Sequence, residues 1–257
     1  KSVSALNKVI IGATSGDAIT DEAFLLRRWL REMGFRSEIF ALYIDPDLEQ
    51  EVRSVTTFRP SSNEEWLIYH HSIGSAVADQ LIASSLKLIL IYHSITPPEF
   101  FATINPALSR EMIQGREQLL ALRSHTALAL ADSPFNEQDL IGAGFCKTGV
   151  LPIALDESRV NLPANPNLLA RYEHPGRSLL FVGRQVPNKK QEDLVKLLYF
   201  YRRIEPRARL FIVGDAWVPA YTHWLHDLTT DLDLEDAVVF VGKASQQDLV
   251  TYYKLAD

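Results

Sequence analysis

The chain has 257 residues and a formal net charge of −6, so general affinity for nucleic acid or an anionic membrane is excluded as its default and any anion site must be local. Hydrophobic residues make up 47% and charged residues 23%, which excludes a disordered chain and fits one large globular domain or two moderate ones. The single cysteine, Cys146, excludes an intrachain disulfide and a cysteine-rich metal site, fits a reducing cytosolic compartment, and reads as a buried small hydrophobe.

No apolar run approaches the roughly 20 residues that a membrane span needs, and the opening "KSVSALNKVIIGATSGDAIT" lacks the shape of a signal peptide. We therefore expect a soluble, cytoplasmic protein. Clustered Arg and Lys on its solvated faces leave room for loose, peripheral association with the inner face of a membrane.

In chain order, "KVIIGAT" reads as a buried strand. The segment from Thr20 to Met33 reads as a helix, with Leu26, Trp29, Leu30 and Met33 on one stripe against Arg27, Arg28, Arg31 and Glu32. Thr20 is the expected N-cap and Gly34 the expected stop. "SEIFALYI" supplies the next strand and completes a strand–helix–strand unit with a right-handed crossover. Further strands are expected at "WLIYH", "LKLILIY", "ALALAD" and "GVLPIAL", giving one doubly wound α/β domain over 1–155.

Residues 156–177 change character, with three prolines and no strand pattern, and read as a linker or hinge. A second alternating set fills 178–257: "SLLFVG", a helix over 191–204, "RLFIVG", a helix over 219–232, "AVVFVG", and a helix opened by Ser245 with Asp248 three residues on. Three strands leave an edge exposed and a helix face uncovered, so this second domain is expected to be truncated at Asp257.

Phosphate loops of G-x-x-x-x-G-K-[ST] type, G-x-G-x-x-G after the first strand, H-E-x-x-H and G-x-S-x-G are all missing. The seven histidines lack a convincing metal-ligand spacing; His70 and His71 are simply adjacent. What stands out is 179–194, "LLFVGRQVPNKKQEDL". A strand ending in Gly183 delivers Arg184 to the carboxyl edge of a sheet, where ligands of open α/β folds sit. Arg184 offers a planar fork of donors to a diphosphate. Lys189 or Lys190 can return to the same anion from the start of the next helix, whose dipole favours it.

"FVGRQVPNKKQEDLV", "PRARLFIVGDA" and "VVFVGKASQQDLVTYYKLAD", in this order, resemble the donor half of the retaining, GT-B-fold glycosyltransferases of the large family that includes sucrose synthases and mannosyltransferases, the glycosyl transferases group 1. "SGDAITDEAFLLRRWLREMGFRSEIFALYID", "LIYHHSIGS", "LILIYHSITPPEFF" and "ALADSPFNEQDLIGAGF" resemble its acceptor domain. The resemblance implies two Rossmann-like domains facing a cleft, the first binding acceptor and the second an NDP-sugar donor.

It further implies that Arg184 with Lys189, or Lys190 in its place, binds the nucleotide diphosphate, and that the Gly16–Asp17 loop approaches the donor phosphate and sugar. His93, with His71 as a lesser candidate, would lie by the reacting sugar and orient or polarise its hydroxyls. Gly183, Gly214, Gly242 and Lys243 end donor-domain strands and can line the nucleotide. No metal or other cofactor is required by this scheme, and the acceptor would be a glycan, a lipid-linked sugar or a small molecule. The family's donor-binding glutamates would follow Asp257, so the chain as it stands is expected not to turn over. A nucleotide-sugar-binding or scaffold protein without turnover is the alternative. An epimerase or phosphorylase on the same fold would need a carboxylate set or a cofactor lysine that the sequence does not offer.

Overall fold

A computed structural model describes residues 4–60, 66–156 and 161–257. They form two compact units, Lys1–Pro98 with Ala107–Leu155, and Glu99–Pro106 with Asp156–Asp257.

The first unit is built on strands β1 (Asn7–Ala13), β2 (Ile39–Ile44), β3 (Arg53–Ser54), β4 (Trp66–His71), β5 (Lys87–Tyr92), β6 (Thr126–Ala131) and β7 (Thr148–Val150). All pairings are parallel, in the order β3-β2-β1-β4-β5-β6-β7. Helices α1 (Ala18–Glu32), α2 (Ala76–Ile82), α3 (Pro106–Leu122) and α4 (Pro134–Gly142) make the connections. Because such a sheet is covered on both faces, its central strands are apolar almost throughout: Val9, Ile10, Leu67, Ile68, Leu88, Leu90 and Ile91 are all buried. The strand order reverses between β1 and β4, and the crevice beyond their carboxyl ends is where open α/β sheets bind ligands.

Helix α1 differs from its sequence reading in phase and start. Asp17, not Thr20, is the N-cap; its Oδ2 accepts from the backbone N–H of Ile19 and Thr20. Thr20 is buried one turn further on, where its hydroxyl accepts from the N–H of Thr14. The face turned inward carries Thr20, Glu22, Ala23 and Leu25, while Trp29 and Met33 of the expected stripe are exposed. Gly34 does end the helix, at φ +91, with Phe35 N–H donating to the Leu30 carbonyl. Strand β7 is shorter than "GVLPIAL" predicts. The N–H of Leu151 still reaches the Ala131 carbonyl at 2.8 Å, but Pro152 has no N–H to continue the ladder. Cys146 is exposed, contrary to expectation.

The second unit has parallel strands β8 (Ser178–Val182), β9 (Arg209–Val213) and β10 (Val238–Gly242) in the order β10-β9-β8. Its helices are α5 (Pro166–Arg171), α6 (Gln191–Tyr201), α7 (Pro219–Asp231) and α8 (Gln246–Leu255). Leu210 and Ile212 of β9 pack with Val195, Leu198 and Leu234 on one face, and Phe211 and Val213 pack with Tyr252, Leu168 and Tyr172 on the other. Each such side chain contributes about 2 kcal/mol by leaving water. Ser245 caps α8 by accepting from the N–H of Asp248, as its sequence predicts.

Part of the stretch read as a linker is ordered against this sheet. Asn165 caps α5, Pro166 occupies its first turn, and the Asn165 side chain donates to Asp248 at 2.9 Å. Tyr172 meets Phe211 edge to face at 5.0 Å. Residues 157–160 of that stretch lie outside the described residues.

Candidate functional site

In the first unit, the loop after β1 is fixed from two sides. Ser15 donates through its N–H to Asp45 at 3.2 Å and through its hydroxyl to Asp47, both just past the end of β2. Gly16 sits at φ +84, a backbone state that L side chains rarely adopt, with open space where a Cβ would project. Asp17 is engaged as the helix cap, so its carboxylate serves α1; a part in donor binding for it rests on the sequence resemblance alone.

Three titratable side chains from three elements meet at this edge of the sheet. His70 is on β4, His93 follows β5, and Glu22 is on the buried face of α1. His70 Nδ1 and His93 Nε2 are hydrogen-bonded at 2.9 Å. Glu22 Oε2 lies 3.8 Å from the first nitrogen and 3.6 Å from the second. Burial drives Glu22 up to about 7, with the Asp132 carboxylate adding to the effect. Burial also holds His93 down to about 4 and His70 well below its ordinary value, so both rings are neutral at neutral pH. Glu22 Oε2, His70 Nε2 and His93 Nδ1 are buried without a hydrogen-bond partner, the kind of unsatisfied polarity that collects at functional sites.

The backbone around His93 is held in the same way. Its N–H donates to the His71 carbonyl at 3.1 Å, and Ser94 next to it adopts φ +56, uncommon for a residue with a side chain. The N–H of Ile95 donates to the Tyr92 hydroxyl, which itself donates to Asp139. His71 is placed differently from its neighbour. Both its ring nitrogens are taken in the core, by the Gly115 carbonyl at 2.8 Å and the Tyr69 hydroxyl at 3.3 Å, and burial pulls its pKa to about 4. It is a structural histidine.

In the second unit the carboxyl ends of all three strands are stitched together. Gly183 N–H donates to the Val213 carbonyl and Gly214 N–H to the Gly242 carbonyl, each at 2.8 Å. A Cβ on Gly214 would stand 2.1 Å from the Gly183 carbonyl oxygen, so this glycine is required by close approach of two strand ends. From Gly183 the chain runs through Arg184 into a 3-10 turn, Pro187–Lys189, and then into α6. The Gln191 amide donates back to the Arg184 carbonyl at 2.8 Å, closing this basic loop over the start of the helix.

Arg184 is exposed, with its guanidinium 4.8 Å over the ring of Trp217. A guanidinium stacked on a ring in this way has its plane fixed, the geometry in which arginine recognises planar acceptors. Lys189 is exposed at the end of the turn. Lys190 is in the left-handed conformation immediately before α6, and its ammonium is 3.6 Å from Glu192. Glu192 in turn accepts from the Tyr221 hydroxyl, whose pKa is raised by burial and by that carboxylate. Of the two lysines, Lys190 thus already has a carboxylate beside it. Gly242, at φ +74, and the exposed Lys243 end β10 at the same edge. Among the described residues no helix is long and apolar enough to cross a membrane.

Residues 172–257 match the family model described as glycosyl transferases group 1. Comparison with curated protein sequences gave no match. Among solved structures, the Anabaena protein HepE in complex with UDP-glucose is 18% identical with a TM-score of 0.70, over 98% of this chain and 72% of that one. Sucrose-phosphate synthase from Thermosynechococcus elongatus is 15% identical with a TM-score of 0.69, over 98% and 74%. A glycosyltransferase from Rickettsia africae is 16% identical with a TM-score of 0.65, over 100% and 72%. At these identities the likeness is one of fold, and the fold is that of GT-B glycosyltransferases. The resemblance carried by the sequence motifs is thus met independently by a family match over the second unit and by the fold of the whole chain.

Proposed function

We propose that this chain, with the fold of GT-B glycosyltransferases and a group 1 match over its second unit, acts in glycosyl transfer from a nucleotide-diphosphate sugar with retention of anomeric configuration. The observation that carries the reading is the loop from Gly183 to Gln191. It displays Arg184 and Lys189 at the carboxyl edge of the sheet and leads into the N-terminus of an 11-residue helix. A diphosphate is the ligand whose charge and geometry such a loop matches. That HepE was solved with UDP-glucose makes uridine diphosphate sugars the first donors to test.

In this reading the bond between the sugar C1 and the diphosphate oxygen breaks, and its electron pair goes to that oxygen. The acceptor hydroxyl oxygen bonds to C1, and its proton passes to the departing phosphate. Arg184 and Lys189 stabilise the charge gathering on the diphosphate, so the protein's contribution is electrostatic and positional. The turn at Gly16 would face the donor, and His93 would meet a sugar hydroxyl. The acceptor is a glycan, a lipid-linked sugar or a small molecule.

The test is release of free nucleoside diphosphate from a panel of uridine, adenosine and guanosine diphosphate sugars, with and without acceptor. Acceptor-dependent release that falls in Arg184→Ala supports the transfer reading. Tight binding of a nucleotide sugar with no release under any acceptor would favour the scaffold alternative.

A further inference from the structure

Arg184 and Trp217 are brought together by the backbone before their side chains meet. Gly214, just past β9, lies so close to the Gly183 carbonyl that a Cβ would not fit, and its own carbonyl accepts from the buried Gln185 amide at 3.2 Å. The next carbonyl, that of Asp215, accepts from two backbone N–H groups, Gln185 at 2.8 Å and Trp217 at 2.9 Å. One oxygen atom thus fixes the residue after Arg184 and closes the three-residue turn that presents Trp217. Val218, which is buried, and Pro219 then open α7 and set the direction in which the chain leaves.

On this frame the two side chains meet at the surface. The guanidinium carbon of Arg184 lies 4.8 Å over the Trp217 ring, inside the roughly 6 Å within which a cation is attracted to a ring face. The ring is held in turn: Phe101, buried and part of the second unit, meets it edge to face with centroids 6.5 Å apart. Trp217 keeps 45% of its surface exposed and Arg184 is itself exposed, so the contact does not withdraw the guanidinium from solvent or from a ligand.

A long basic side chain must give up rotamer freedom when it binds an anion, and one already seated on an aromatic face gives up less. An exposed indole at a ligand edge has two uses, as a support for the arginine or as a surface on which a nucleobase stacks. The first is favoured because the guanidinium already lies over the ring and because the Asp215 carbonyl ties the two backbones together.

We propose that Trp217 is a positioning residue, which holds the Arg184 guanidinium at the carboxyl edge of the second sheet and strengthens diphosphate binding through that arginine, without contacting the base of the nucleotide. The diphosphate part rests on the function proposed above; the contact between the two side chains does not.

The experiment is calorimetric titration of UDP and of inorganic pyrophosphate into wild type, Trp217→Phe, Trp217→Leu, Arg184→Ala and the double variant Arg184→Ala with Trp217→Leu. Trp217→Leu is expected to weaken both ligands by the same factor, about three- to tenfold, and Trp217→Phe, which keeps a ring face, to stay within about twofold of wild type. In the Arg184→Ala background the leucine substitution is expected to cost nothing further. A loss for UDP with none for pyrophosphate, or a loss that persists undiminished without Arg184, would make the indole a surface for the base and overturn the proposal. Equal losses in the phenylalanine and leucine variants would make Trp217 merely structural and overturn it, as would full affinity in Trp217→Leu.

A second arm needs no ligand. The Nε–H proton of Arg184, identified in a 1H–15N spectrum by its absence in Arg184→Lys, is expected upfield in wild type and Trp217→Phe, where it feels the ring current, and downfield of both in Trp217→Leu. The same position in wild type and Trp217→Leu would overturn the contact and the proposal with it. The upfield signal in a protein that binds neither UDP nor pyrophosphate would sink the diphosphate reading of the loop, and the part of Trp217 in it, while leaving the contact in place.

Discussion

Replacing Glu22 by glutamine should stabilise the protein, and by an amount that depends on pH. The Glu22 carboxyl is buried on α1 and its pKa is raised from 4.5 to about 7, first by burial and then by Asp132. The folded state therefore binds this proton more tightly than the unfolded chain does. Its contribution is fully present below pH 4.5 and is lost as pH rises through 7. Above that, folding carries the cost of an ionised carboxylate in a dry site, about 3 kcal/mol for a shift of that size at 1.36 kcal/mol per unit. Glutamine keeps the shape and cannot ionise. Histidines 70, 71 and 93 titrate in the opposite sense, losing stability as pH falls below 6.5, but they are common to both proteins and largely cancel in the difference. Urea unfolding of both proteins at pH 5 and pH 8 measures it. Glu22→Gln should exceed wild type by about 3 kcal/mol at pH 8 and by under about 1 kcal/mol at pH 5. A gain equal at both pH values, or none at pH 8, would refute the reasoning.

Other substitutions probe the second unit and the first turn. Gly214→Ala, whose Cβ would meet the Gly183 carbonyl oxygen at 2.1 Å, should cost about 3 kcal/mol or more and lower the thermal midpoint. Gly16→Ala has open space but φ +84, so its cost should be only about 1–2 kcal/mol in the same melt. Asn165→Ala removes the cap of α5 and the bond to Asp248, and should cost about 1–2 kcal/mol by urea unfolding.

The strands of both sheets, the two-residue β3 (Arg53–Ser54) excepted, were legible because buried parallel strands are written as unbroken apolar runs, and the basic loop was legible because Gly183-Arg184 falls at the end of one. The orientation of α1 was not. Its amphipathic reading followed Trp29 and Met33, which are apolar and exposed, and took Thr20 for the cap, whereas Thr20 and Glu22, the latter not placed by that reading, turn inward. Hydrophobic periodicity has no means of marking a buried carboxyl.

The histidine pair was missed for a related reason. Ligand spacing was sought along the chain, while the pair is made across strands. In the parallel register His70 lies opposite Ile91, so a residue two further on, His93, shares its side of the sheet. Given two strands in register, that parity is a usable signal, and it also separates His70 from His71. The linker reading of 156–177 failed at Asn165-Pro166, a pair that opens a helix as readily as it marks a turn.

The central claim, that the Gly183–Gln191 loop receives a nucleotide diphosphate, is tested most directly by calorimetric titration of UDP and UDP-glucose into wild type and Arg184→Ala. Loss of a charge-assisted contact should weaken binding about 10- to 100-fold in the variant with the fold intact. Equal affinity in the two proteins, or no binding to wild type at millimolar uridine, adenosine or guanosine diphosphate, would contradict it.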